Sequence, residues 1–202
     1  MSDPIISKLT DFFQRFPGIG PRQAKRFVYA LVDKDSKFLK ELASIIARLG
    51  EEVSRCNRCF RIFSGKAKYC SVCENPSRDE SKLLVVEKDA DLENIEKNNF
   101  YDGGYFILGG LLSPIKPEKK EKLRLKELEL RIKESNAVKE VVLAFSATTE
   151  GDMTQHFIED MLDKSVKKRG LKITNLGRGL STGTELEYSD RNTLRHAFEN
   201  RK

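Results

Sequence analysis

Apolar residues recur at helical spacing up to about residue 55 and change to short continuous runs after residue 80, which divides the chain in two. Ile5, Ile6, Leu9, Phe12, Phe13 and Phe16 fall three and four apart, as on one face of a helix. Pro17-Gly18-Ile19-Gly20-Pro21 breaks the pattern sharply. It resumes at once with Ala24, Phe27, Val28 and Leu31, while Arg22, Lys25 and Arg26 share another face of that second helix. Phe38, Leu39, Leu42, Ile45, Ile46 and Leu49 predict a third helix from Ser36 to Leu49, capped at its C-terminus by Gly50.

Further on, Leu83–Val86 reads as a buried strand ending in Glu87, followed by a helix from Asp89 to about Lys97. Asn98, Asn99 and Asp102-Gly103-Gly104 read as a turn. Tyr105–Leu108 is the next strand, closed by Gly109-Gly110, and the strong helix formers from Glu118 to about Ser135 predict one helix. A strand over Glu140–Phe145, a helix from Gly151 to about Lys168 and a strand over Lys172–Leu176 complete the pattern. This alternation implies an α/β region with a mostly parallel sheet and helices on both faces. Ligands of such sheets bind beyond the carboxyl ends of the strands, where Glu87 and the loop from Ser146 through Glu150 to Asp152 fall. His156 and His196 have no cysteine or serine partner in a motif and read as surface or packing residues.

Composition changes this picture in three places. The chain has 202 residues, enough for a real core, and its net charge of +6 comes from 37 basic and 31 acidic groups, a mixed surface that argues only weakly for nucleic acid. Distribution says more than the sum. Arg22, Lys25 and Arg26 have no acidic neighbour in their own helix, Pro21 suits a first helical turn, and Gly18 and Gly20 let the backbone approach a ligand. Helix, Gly-x-Gly hairpin and basic helix form the layout of a helix-hairpin-helix element, which grips DNA phosphates without reading sequence; the plainer alternative is a tight interhelical turn. The longest apolar stretch, Phe106–Leu112, is too short to span a bilayer, and the N-terminus has no basic segment leading into an apolar one, so a cytoplasmic protein is expected.

The four cysteines stand as Cys56-x2-Cys59 and Cys70-x2-Cys73. Two such pairs offer the closed thiolate shell of one structural Zn2+. Unpaired or disulfide-bonded cysteines, and a catalytic zinc, are the alternatives. Arg55, Arg58, Arg61, Lys66 and Lys68 crowd the segment, either offsetting the thiolate charge, facing an anionic partner, or forming ordinary surface.

The order of these pieces resembles the recombination mediator family RecR. The resemblance covers essentially the whole chain: FPGIGPRQAKRF at 16–27, the four cysteines, LLVVEKDADLENIE at 83–96, YFILGGLLSPI at 105–115, TTEGD at 148–152 and LGRGLSTGTELEYSDRNTLRHAF at 176–198. It implies four regions: a helix-hairpin-helix DNA-binding region over 1–55, a four-cysteine zinc finger over 56–78, a Toprim domain over 79–176, and over 177–202 a C-terminal extension described in the family as Walker-B-like, expected as an oligomer contact. It further implies a homo-oligomeric clamp, a tetrameric ring or a dimer, that binds DNA without sequence preference and works with RecO, in some settings RecF, to load RecA on gapped DNA. Catalytic Toprim domains hold Mg2+ with a Glu and a D-x-D pair. This chain keeps Glu87, Glu150 and Asp152 but places Ser146 and Thr148 at the D-x-D positions, which offers a hard cation less charge. Lys88-Asp89, Ser146-Ala147 and Thr182-Gly183-Thr184 also depart from the usual wording. No phosphate-cradling G-x-x-x-x-G-K-[ST] occurs. A non-enzymatic mediator is therefore expected; the rivals are a metal-dependent Toprim enzyme and a pure protein-interaction scaffold.

Overall fold

The structure, a computed structural model, describes residues 3–115 and 117–201. It divides into two compact units, Met1–Val53 and Ser54–Lys202.

The first unit is helical. Helix α1 (Pro4–Gln14) starts on Asp3, whose carboxylate accepts from the Ile5 amide at 3.0 Å. Helix α2 (Pro21–Val32) follows the Gly18–Gly20 turn and packs Ala24 and Val28 inward, with Phe27 edge-on to Phe13 of α1 at 5.7 Å. Helix α3 (Ser36–Glu52) is capped by Asp35 through the Phe38 amide. It does not stop at Gly50, as the sequence predicted. Gly50 stays out of the left-handed region, and the helix runs to Glu52, where Val53 turns extended and enters β1 (Val53–Arg55).

In the second unit, β1 pairs with β2 (Ile62–Ser64), and a single turn, α4 (Ser71–Glu74), completes the cysteine segment. A four-stranded, all-parallel sheet follows, built from β3 (Asp79–Val86), β4 (Gly103–Ile107), β5 (Glu140–Ala144) and β6 (Lys172–Asn175) in the order β4-β3-β5-β6. The helices between them are α5 (Asp89–Lys97), α6 (Leu125–Glu134) and α7 (Thr149–Arg169). Alternate residues of each strand serve opposite cores. Leu83, Val85, Phe106, Val141 and Leu143 pack with Leu128 and Ile132 of α6 and Ile158 and Leu162 of α7. Leu84, Val86, Tyr105 and Ile107 pack with Leu92 of α5 and with Cys56, Cys59, Cys70 and Val72. One face is thus covered by α6 and α7, the other by α5 and the cysteine segment.

Two sequence expectations are corrected here. Gly103 and Gly104 lie in β4, not in a turn: Gly103 sits where a Cβ would meet the Tyr101 hydroxyl at 2.3 Å and the Lys82 Cβ at 2.9 Å, so only glycine lets the strand start that close to its neighbour. The helix expected from Glu118 to Ser135 is two elements, a 3-10 segment Pro117–Lys122 and α6. At the break, the Arg124 amide and guanidinium bond to the carbonyls of Leu108 and Ile107, which places both Leu123 and Leu125 in the core. Beyond β6 a short 3-10 turn (Leu186–Tyr188) leads to α8 (Arg191–Glu199), capped by Asp190.

Candidate nucleic-acid and metal sites

The hairpin presents backbone donors beside uncompensated cations. Gly18 takes φ +76°, which turns the chain without strain, and Gly20 stands at the N-cap of α2, where it offers no side chain to the first-turn amides. The first in-chain acceptor in use there is the Gly20 carbonyl, bonded by the Ala24 amide at 2.9 Å. Gly18, Gly20, Arg22, Lys25 and Arg26 are all exposed. Among the described residues no carboxylate pairs with Arg22, Lys25 or Arg26; Lys25 instead lies over the Tyr29 ring at 5.7 Å. A helix start with open N–H groups and adjacent positive charge is chemically an anion site.

The four cysteines converge. Their sulfurs lie within 4.8 Å of one another, with Cys59 and Cys70 at 3.6 Å. A tetrahedron with metal–sulfur bonds of about 2.3 Å has edges of about 3.8 Å, so the donor set fits one zinc-sized ion. Backbone amides reach the sulfurs: Arg58 and Cys70 donate to that of Cys56 and Arg61 to that of Cys59, each at 3.4 Å. Phe60, at φ +65°, makes the turn that aims the Arg61 amide. Hydrogen bonding with Cys59 pulls the Cys70 thiol down, and the same contact holds Cys59 up. Of the surrounding basic groups, Arg55 bonds the Phe60 carbonyl at 2.8 Å, and Arg58 bridges the Cys73 carbonyl and Glu80, whose hydrogen bond raises the Arg58 pKa. Lys66 and Lys68 remain exposed.

The segment is also fixed to the sheet. The Ile107 amide, on the outer edge of β4, donates to the Cys59 carbonyl at 2.9 Å, Phe60 stacks edge-on to Phe106 at 5.2 Å, and the Ile62 amide bonds Asp89 at 2.6 Å. An open strand edge is thereby covered.

The acidic residues divide. Glu87, at the end of β3, and Glu150, in the first turn of α7, line one cleft of about 450 Å3 at the carboxyl end of the sheet, together with Lys122 and Thr148. Asp152 lines a different cleft and is ion-paired with Arg178, whose hydrogen bond lowers its pKa. Among the described residues, the four cysteines are the group whose ligand atoms meet around one point. Thr148 caps α7 by accepting from the Gly151 amide at 3.1 Å, so this hydroxyl has a structural task where a catalytic Toprim domain places a carboxylate. Gly151 itself is required: a Cβ there would stand 2.0 Å from the Ser146 carbonyl oxygen. Sequence reasoning passed over it, and also over Arg178 and Arg131. The signals were a glycine in a helix turn where alanine is the better former, an arginine between two glycines, and an arginine beside Leu128 and Ile132 on an apolar helix face.

Comparison with known proteins agrees with this organisation. Residues 6–49 match the RecR helix-hairpin-helix model, 81–177 the Toprim domain and 179–202 the RecR C-terminal model; the four cysteines lie between the first two. The chain is 37% identical over 196 residues to the recombination protein RecR of Lacticaseibacillus casei, covering 97% of this chain and 96% of the relative. It is 37% identical over 197 residues to RecR of Chloroflexus aurantiacus (98% and 93% covered) and 36% identical over 197 residues to that of Gloeobacter violaceus (98% and 96%). No described helix is long and apolar enough to cross a membrane.

Proposed function

This chain belongs to the RecR family of recombination proteins, and we propose that it acts in recombinational repair as a non-enzymatic, DNA-binding mediator. The carrying observation is the hairpin, where the uncapped start of α2 and Arg22 and Arg26, unpaired among the described residues, offer amides and charge to a phosphate backbone and nothing to a base edge. Arg22 and Arg26 bear most of the affinity, Lys25 assists, and Gly18 and Gly20 admit the backbone. We divide the labour as 1–55 for DNA, 56–78 for a metal finger, 79–176 for the Toprim frame and 177–202 for assembly.

Cys56, Cys59, Cys70 and Cys73 hold one structural Zn2+, which supplies cross-linking rather than reactivity, because four sulfurs leave no open coordination position. Glu87 and Glu150 face a partner protein or a loosely held cation; with Asp152 committed to Arg178, the described residues lack the converging carboxylates of a metal-dependent nuclease. Apolar side chains exposed on the N-terminal unit, among them Phe12, Ile46 and Leu49, suit a homo-oligomeric clamp, dimer or tetrameric ring. In the family's setting its partners are RecO and, in some settings, RecF, and the outcome is RecA loading on gapped DNA.

The deciding experiment measures DNA binding by the full chain at low and moderate salt, with light scattering on the same samples and Mg2+ added. Sequence-independent, salt-sensitive binding by an oligomer without cleavage supports the reading. Wild-type affinity in an Arg22→Ala, Arg26→Ala variant removes the hairpin assignment, and Mg2+-dependent cleavage lost in Glu87→Gln replaces the mediator with an enzyme.

A further inference from the structure

Of the cations on α6, Lys126 and Lys133 are exposed, whereas Arg131 is half-buried. Its neighbours Leu128 and Ile132 are in the core, and its side chain lines a cavity of about 30 Å3 with Arg58, Val72 and Cys73. The Arg131 Nε is buried without an acceptor among the described residues. Burial, and then the adjacent Arg58 guanidinium, push the Arg131 pKa down. Glu80, the nearby carboxylate, is already hydrogen-bonded to Arg58 and is itself largely exposed.

Arg58 and Arg131 therefore line one cavity beside Cys73; Glu80 there is hydrogen-bonded to Arg58, and Glu127 and Glu134, which line the open cleft outside with both arginines, make no ion pair with Arg131 among the described residues. Like charges brought out of water are unfavourable unless an opposite charge compensates them. A water has room in this cavity, yet it satisfies a hydrogen bond and not a charge. The charge that is short on this side is present on the other: four thiolates around a divalent ion leave a net dianion, and Cys73 lines the same cavity as Arg131.

We infer that Arg131 is the counter-charge of the metal centre, supplied by α6 from outside the cysteine segment, so that metal loading is coupled to the position of that helix. The inference rests on the zinc site proposed above. With metal bound, the dianion draws in Arg58 and Arg131 together. Without it, Arg131 is left beside a like charge, and α6 loses a contact to the module.

The test is competition for Zn2+ between the full-length protein and a chromophoric chelator, in wild type, Arg131→Met, Arg131→Gln and Arg131→Lys. Groups just outside a metal's ligands are typically worth 10–100-fold in affinity, so the Met and Gln variants are expected to hold Zn2+ roughly 10-fold more weakly, with Lys restoring most of the loss. Methionine removes the charge and keeps an unbranched, shorter stem, and glutamine repeats the test should the methionine protein not fold. Wild-type Zn2+ retention in the uncharged variants overturns the inference while leaving the zinc site standing. A loss in Arg131→Lys equal to that in Arg131→Met also overturns it, because charge is then not the cause. A wild-type chain that takes up no Zn2+ overturns the zinc site itself.

Discussion

Two glycines in helices respond oppositely to the same substitution. At Gly151, alanine would improve helix propensity by up to about 1 kcal/mol, but its Cβ would stand 2.0 Å from the Ser146 carbonyl oxygen, a backbone atom held by the turn into α7. Overpacking of this kind costs about 1–3 kcal/mol, so Gly151→Ala is expected to lower the denaturant midpoint of the second unit. At Gly50 a Cβ meets nothing within 4 Å and φ is ordinary, so Gly50→Ala is expected to stabilise α3 by up to about 1 kcal/mol. An acid-sensitive contact lies at Glu96, which accepts from Arg78 and from the Tyr105 hydroxyl. Burial pushes its pKa up, but those two hydrogen bonds outweigh burial and the group sits below its usual value. A carboxylate depressed in the folded state stabilises fully above its unfolded pKa of about 4.3, and the contribution fades as pH falls through the folded value. Glu96→Gln is thus expected to cost about 1–3 kcal/mol at neutral pH, with the gap to wild type closing in acid; a constant gap would show that the ion pair contributes nothing.

At the scale of elements, what was legible followed from period. The runs at Leu83–Val86, Tyr105–Leu108 and Glu140–Phe145 are too apolar and too short for anything but buried strands, and the cysteine spacing located the four-sulfur cluster. The misread elements were decided by contacts distant in sequence. Arg124 breaks the charged helix because its donors meet the end of β4, and Gly103 joins a strand because Tyr101 and Lys82 leave no room for a side chain. The seat of the cysteine segment on the sheet was likewise invisible, since nothing local announces that Cys59 accepts from Ile107 or that three cysteines share a core with Leu84 and Val86. That seat has a measurable consequence. A module this small buries too little apolar surface to fold without the ion we propose for it. Removing metal with a chelator is expected to open residues 56–73 to hydrogen exchange and, with them, the Ile107 amide on the edge of β4. Protection at Ile107 that survives loss of protection in the cysteine segment would mean that the finger and the sheet fold independently.

For the whole molecule, the hairpin is a small contact, and one hairpin offers few charges. Weak sites gain affinity by being displayed together, because the second engagement becomes intramolecular, and such linkage raises avidity by roughly 10²–10⁴-fold without any new contact. A clamp that engages several hairpins differs from a monomer in a quantity that salt reveals. Each neutralised phosphate contributes about 0.9 to the slope of log affinity against log salt on duplex DNA. On the proposed assignment Arg22→Ala removes one such contact per engaged hairpin, so its effect on the slope counts hairpins: a drop of about 0.9 means one per complex, and about 1.8 means two. Light scattering on the same samples gives the number of copies present, and the ratio of the two gives the share of hairpins that face DNA. A slope unchanged by Arg22→Ala would place Arg22 away from the phosphates whatever the assembly. A drop of about 0.9 from an oligomer would mean that the copies associate for a purpose other than gripping one duplex.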